Sequence, residues 1–186
     1  MQKLPDLEKL IALCHHRWSI RLVAELDRGE GAKFVTLLNR LKLSRAPLSA
    51  TLHQLVQLGL VRRNTGYGHP MRPEYLLTQT GKSIGPHCQS LAMTLSRAGW
   101  EKIGFDKWSL PLAALIGGQT LRFNELRGEL DSASPRAITL ALKSLENQDW
   151  IDRIIVSEYP LAAGYQLRPL AKEMLPDLYA ICAAMP

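Results

Sequence analysis

A polar and basic group of side chains occupies one predicted helix, residues 45–58, and its chemistry suits nucleic acid. Ser44 precedes the helix as an N-cap residue. The first helical amides, with Ser44 and Arg45, are expected to face a phosphate, because a helix N-terminus attracts anions. Ser49, His53 and Gln54 lie farther along and are expected to reach base edges. This segment is therefore interpreted as a candidate DNA-reading helix.

A second basic group lies in the segment that follows. Arg62 and Arg63 belong to a β-prone run at 60–64, whereas His69 and Arg72 lie in a Gly/Pro-rich stretch before the next run, 74–78. Two such runs around a turn-rich tip predict a β-hairpin. Basic residues at its base and tip indicate phosphate contact or minor-groove insertion. A solvated surface that binds an acidic protein partner is the alternative.

The remaining reactive residues form no catalytic pattern. Cys14, His15 and His16 are consecutive, but neighbouring helical residues point about 100° apart, so adjacency does not imply a thiol–imidazole pair. The sequence contains no phosphate-binding loop, nucleophile elbow or zinc-protease motif. The three cysteines are widely spaced, which favours free thiols. We expect no enzyme, metal site or cofactor.

The elements that position the basic residues form a helix, a helix-turn-helix and a hairpin. Apolar residues at helical spacing predict helices that end before Gly29 and that span 34–41 and 45–58. Leu48, Leu52, Leu55 and Val56 are expected to face inward in the last of these, and Gly59 suits a left-handed C-cap. This order predicts a winged helix-turn-helix, with the third helix as the major-groove reader and the hairpin as the wing.

The same scheme recurs at an offset of 90 residues, with a slip to 89 around residues 34–41. Identical residues at matching positions include Trp18/Trp108, Leu52/Leu142, Arg63/Arg153, Tyr75/Tyr165 and Pro86/Pro176. Such an internal repeat indicates two copies of one unit. The predicted fold class is α+β, mainly α, with two tandem winged helix-turn-helix domains, 1–96 and 97–186, joined by a long helix.

The two copies differ in charge. Residues 1–97 carry a net charge of +8, and residues 98–186 carry −2. In the second copy Arg136 and Lys143 are the candidate DNA contacts of the reader helix, which begins at Ser134-Pro135. Leu140 is expected to face outward, where it either weakens entry into the groove or suits a thymine methyl. The first copy is therefore expected to supply most of the DNA affinity. The second is expected to serve pairing, effector response or a weaker DNA contact.

Two apolar stripes and two tryptophans suggest pairing and ligand binding. The stripes at 83–103 and 171–185 predict a long joining helix and its counterpart, whose contact would pair the copies within one chain as a pseudo-dimer. Homodimerisation in addition stays open. Trp18 and Trp108 coincide in the repeat and are interpreted as core, whereas Trp100 and Trp150 are the candidates for binding a small, for example aromatic, effector.

At these residues the chain resembles the HxlR family of bacterial winged-helix regulators, within the broader MarR-like group. LRFNELRGEL at 121–130 is similar to the family's second-helix signature, and PEYLLTQTGK at 73–82 is similar to its wing-to-last-helix signature. The resemblance implies DNA binding by the third helix and wing, and dimers paired through terminal helices. Members of the family generally carry one such domain per chain, so the tandem form is a departure.

These observations together predict a sequence-specific DNA-binding transcriptional regulator. The expected mode is a repressor that occludes a promoter and is relieved by a small-molecule effector. No apolar run reaches the roughly 18 residues of a membrane span, and the first residues do not resemble a signal peptide, so a cytoplasmic protein without a membrane partner is expected. The alternative is a tandem winged-helix protein-interaction scaffold without sequence-specific DNA binding.

Overall fold

The computed structural model describes residues 6–64, 74–101, 105–158 and 161–185. The first half contains α1 (Leu7–Leu13), α2 (Ser19–Arg28), β1 (Ala32–Lys33), α3 (Phe34–Leu41), α4 (Arg45–Gln57), β2 (Val61–Asn64), β3 (Glu74–Leu77) and α5 (Gln79–Arg97). The second half contains α6 (Ser109–Ile116), β4 (Leu121–Arg122), α7 (Phe123–Glu129), α8 (Pro135–Asn147), β5 (Ile151–Glu158), β6 (Leu161–Leu167), α9 (Pro169–Lys172) and α10 (Leu175–Ala184).

Each half folds as a winged helix-turn-helix unit, which confirms the predicted fold class. The antiparallel sheets have the strand orders β1-β3-β2 and β4-β6-β5. Their registers are equivalent, because Arg63 pairs with Tyr75 and Arg153 pairs with Tyr165. The two-residue strands β1 and β4 were not predicted, since such short segments show no alternation of apolar and polar residues. The boundary between residues 96 and 97 stays a prediction.

Helix ends follow from local backbone conformation. Gly59 has a φ of +68°, and the Leu60 amide donates to the Leu55 carbonyl, which closes α4 as predicted. Gly99 has a φ of +70° and ends α5 in the same way. The joining helix therefore spans Gln79–Arg97 rather than 83–103, because a glycine in the left-handed region terminates it.

Three further details differ from the sequence-based expectations. The segment 171–185 is two helices, α9 and α10, because Pro176 at the start of α10 suits a new first turn. Val56 is exposed, whereas Thr51 is buried and its hydroxyl donates to the Pro47 carbonyl at 2.7 Å. Helix α1 was not predicted at all.

The two copies share one continuous apolar core. Helix α5 packs against α10, and α1 packs against both α6 and α10. Polar contacts reinforce this packing: His87 Nδ1 lies 2.8 Å from Asp177 Oδ1, and the Lys9 ammonium donates to the Met185 carbonyl at 2.8 Å. The pairing helices are thus joined within one chain.

Candidate nucleic-acid interface

The N-terminus of α4 is open to solvent. Ser44 is its N-cap residue, but the Ser44 side chain makes no capping hydrogen bond. The third helical residue is Pro47, which lacks the amide that a capping side chain commonly binds. In the second copy the Ser134 hydroxyl accepts a hydrogen bond from the Ala137 amide at 3.2 Å. The Ser44 hydroxyl is therefore available to an external group, whereas the Ser134 hydroxyl is engaged.

One face of α4 carries the predicted contacts. Arg45, Ser49 and His53 are exposed, while Leu48 and Leu52 anchor the opposite face in the core. Small residues separate the contacts, namely Ala46 and Ala50, both exposed. A row of short side chains between polar ones lets a helix backbone approach a groove closely. The face is thus shaped for a partner that comes near the helix axis.

The structure corrects the expectation for Gln54. Its amide nitrogen donates to the Ala12 carbonyl, and its amide oxygen accepts a hydrogen bond from the Ser19 hydroxyl at 3.1 Å. Ser19 is fully buried, so Gln54 supplies a partner to a hydroxyl that water cannot reach. Gln54 ties α4 to α1 and α2 instead of extending toward base edges.

The wing of the first copy presents cations at its base. Arg62 and Arg63 lie on β2 and are exposed. Within the described ranges no acidic side chain forms an ion pair with Arg45, Arg62 or Arg63. The predicted contacts His69 and Arg72 lie outside the described residues.

The second copy exposes its reader helix, and an ion pair neutralises one acid at its wing base. Arg136 and Lys143 are exposed on α8, and Leu140 is 56% exposed between them. At the wing base Asp152 takes the position of Arg62 and accepts a hydrogen bond from Arg168 Nε at 2.7 Å. The bond to Asp152 raises the pKa of Arg168. Arg153, at the position of Arg63, is exposed and forms no ion pair within the described residues. This wing base therefore replaces one of the two unpaired arginines of the first by an internal ion pair and keeps the other.

The structure also corrects the expectation for the two tryptophans. Trp100 and Trp150 are buried and in contact, with ring centroids 4.8 Å apart and ring planes inclined by 42°. Their counterparts in the first copy, Leu10 and Leu60, are fully buried as well. The pair thus fills core space as an aromatic replacement for two leucines.

The three cysteines are free and buried. Burial raises the pKa of Cys14 to about 12 and that of Cys182 to about 11, and it raises the pKa of Cys88 as well. Thiols with such values stay protonated near neutral pH and are poor nucleophiles.

Lys42 joins the candidate interface although no sequence pattern marked it. It ends α3 in a left-handed conformation, with φ at +52°, and its side chain is exposed. Non-glycine residues rarely adopt the left-handed conformation, and sequence propensities do not predict that Lys42 does so. Because only two residues separate it from Arg45, Lys42 adds a cation beside the open end of α4.

Comparisons with known proteins agree with this geometry. A family model described as HxlR-like helix-turn-helix matches residues 13–99 and again 103–185. A protein of Methanothermobacter thermautotrophicus, named an uncharacterised HTH-type transcriptional regulator, is 35% identical over 77 residues. That alignment covers 41% of this chain and 58% of the relative, so the chain spans little more than half of that protein's length. Among the described residues no helix is long and apolar enough to cross a membrane.

Proposed function

Because the chain belongs to the HxlR-like helix-turn-helix family, over most of its length and in both halves, we propose that it is a sequence-specific DNA-binding regulator of transcription. The observation that carries the proposal is the exposed face of α4, which begins at an uncapped N-terminus. In the part of the chain that the structure describes, the exposed cations beside this face, Arg45 on the helix and Arg62 and Arg63 on the wing, form no ion pair. Such a face suits a polyanion with readable edges. This face of α4 suits an acidic protein partner less well, because the small residues Ala46 and Ala50 occupy its centre and offer no group that an acidic side chain would bind.

In the proposed complex α4 enters the major groove. Lys42, Ser44 and Arg45 contact phosphates at the N-terminal end of the helix, where the helix dipole also favours negative charge. Ser49 and His53 lie deeper and reach base edges. Arg62 and Arg63 of the wing lie beside the duplex in this proposal, and His69 and Arg72, which lie outside the described residues, are proposed as further contacts.

The proposed regulator is a cytoplasmic repressor that occludes a promoter. The two copies of one chain act together as a pseudo-dimer. Relief would come from a small molecule that changes the position of the wing. A half-open groove of about 480 Å³, bordered by Asp27, Arg62 and Lys82, supports this. A compound in the groove would contact Arg62, which the DNA also needs, so the two ligands would weaken each other.

A salt titration on duplex DNA tests the proposal. The wild type should bind its own upstream region more tightly than a random duplex, with an affinity that falls steeply as salt rises. Arg63→Ala should weaken binding to all sequences alike and reduce the salt slope by about 1, whereas His53→Ala should act chiefly on the preferred site. Arg28→Ala is the control for the loss of one positive charge elsewhere, since Arg28 is an exposed cation on α2 and pairs with Glu25. Equal and weak binding to both duplexes at moderate salt would favour the protein-interaction scaffold instead.

A further inference from the structure

The contact between His87 and Asp177 reveals how the two copies are related. The two residues are 90 positions apart, so each is the repeat counterpart of the other. Equivalent residues of two copies face each other only where a rotation axis passes between them. The axis relating the copies therefore passes through the contact between α5 and α10.

A reciprocal contact shows that this axis is an approximate two-fold. Helix α1 of the first copy packs on α6, which is the counterpart of α2. In return Phe105, the counterpart of His15 just after α1, lies under the guanidinium of Arg21 on α2, with the Arg21 Cζ 5.9 Å from the ring centroid. Exchange of contacts in both directions is the mark of an isologous interface. Dimeric helix-turn-helix proteins use this symmetry to present two reader helices to one duplex.

The two reader faces related by this axis are chemically different. On α4 the exposed contacts are Ser49 and His53, separated by Ala50. On α8 the corresponding positions hold Thr139, Lys143 and Leu140. The Thr139 hydroxyl donates to the Pro135 carbonyl at 2.8 Å, so this side chain offers chiefly its methyl group.

The face of α8 matches a particular base chemistry. Arg136 and Lys143 are exposed and, within the described ranges, form no ion pair. Arginine and lysine side chains bind the O6 and N7 atoms of guanine, and apolar side chains contact the thymine methyl. Leu140, 56% exposed between the two cations, supplies the apolar contact.

Building on the proposed function, we propose that one chain reads a non-palindromic operator through two unlike half-sites. Helix α4 reads one half-site through Ser49 and His53. Helix α8 reads the other, which contains guanine and thymine, through Arg136, Leu140 and Lys143. The second copy is then a specificity module, although it adds little net positive charge.

Selection of the full chain on a randomised duplex library, followed by competition binding, tests this. The selected site should be asymmetric and occupied by one chain. Palindromes built from either half-site alone should bind about tenfold or more weakly than the composite site. A selected palindrome occupied by two chains would overturn the proposal.

Deoxyuridine substitution isolates the contact of Leu140. Replacing thymines by deoxyuridine in the half-site assigned to α8 removes only methyl groups, and it should weaken wild-type binding several-fold. The same replacement should leave the affinity of the Leu140→Ala variant unchanged. Met93→Ala, which changes an exposed apolar residue of α5, should lose affinity on deoxyuridine substitution as the wild type does. If Leu140→Ala and Lys143→Ala bind the selected site as tightly as wild type, α8 does not read DNA. If the wild type selects no sequence at all, the proposed function itself fails.

Discussion

Gln54 and Gln57 offer a matched pair for testing the reader helix. Both are glutamines of α4, but Gln54 is hydrogen bonded to Ala12 and Ser19, whereas Gln57 is exposed. Gln54→Ala removes both bonds, each worth roughly 0.5–1.5 kcal/mol, and it leaves the buried Ser19 hydroxyl without this partner. We expect a loss of about 2–3 kcal/mol in the free energy of unfolding. Gln57→Ala should change it by less than about 0.5 kcal/mol.

Thermal denaturation and DNA binding, measured on the same preparations, check this prediction. A loss of about 2–3 kcal/mol corresponds to a Tm lower by roughly 4–12 °C for a chain of this size. Well below that Tm, Gln54→Ala should keep the wild-type base preference at every operator position. The reasoning would be refuted by an unchanged Tm together with relaxed preference at one base pair, since Gln54 would then leave the interior to contact DNA.

Three further predictions concern packing and thiol chemistry. Asp177→His should lower the free energy of unfolding, measured by urea denaturation, by up to about 1 kcal/mol, because two imidazoles then meet on the axis. Adding His87→Asp should restore the lost stability, whereas purely additive losses in the double variant would contradict the pairing. Gly81→Ala should lower the free energy of unfolding by about 1–3 kcal/mol, because the added Cβ would lie 2.1 Å from the Leu60 carbonyl oxygen. An unchanged free energy of unfolding would show that the backbone at the wing base moves aside without cost. A maleimide at pH 8 should hardly label the native chain, because all three thiols are buried and burial raises the pKa of Cys14 to about 12. In guanidinium the same reagent should label all three thiols. Rapid labelling of the native chain would contradict this burial.

The repeat and the helical spacing predicted most of the elements, because they depend on local pattern. Helix α4, its end at Gly59 and the hairpin strands β2 and β3 all lie where the sequence placed them. Helix α1 has apolar residues at helical spacing too, but at seven residues it is too short to be stable alone. Its packing on α6 and α10 stabilises it, and this packing is not visible in the local sequence.

The side-chain roles that were misjudged depend on distant partners. Gln54 lies between the buried Leu55 and the exposed His53, so periodicity left its direction undecided. Its direction follows from Ala12 and Ser19, which lie 42 and 35 residues away. The unmatched tryptophans were interpreted as a ligand site, although leucine counterparts in the repeat already indicated core.

The His87–Asp177 pair explains why duplication within one chain favours divergence of the copies. In a homodimer the residue on the two-fold axis faces itself, so a complementary pair of unlike residues cannot form there. Joining the copies removes that constraint, and it also makes their pairing intramolecular and independent of protein concentration. Each reader helix can then change without disturbing an identical partner. The net charges of +8 and −2 and the unlike faces of α4 and α8 are the divergence that such a joined pair permits.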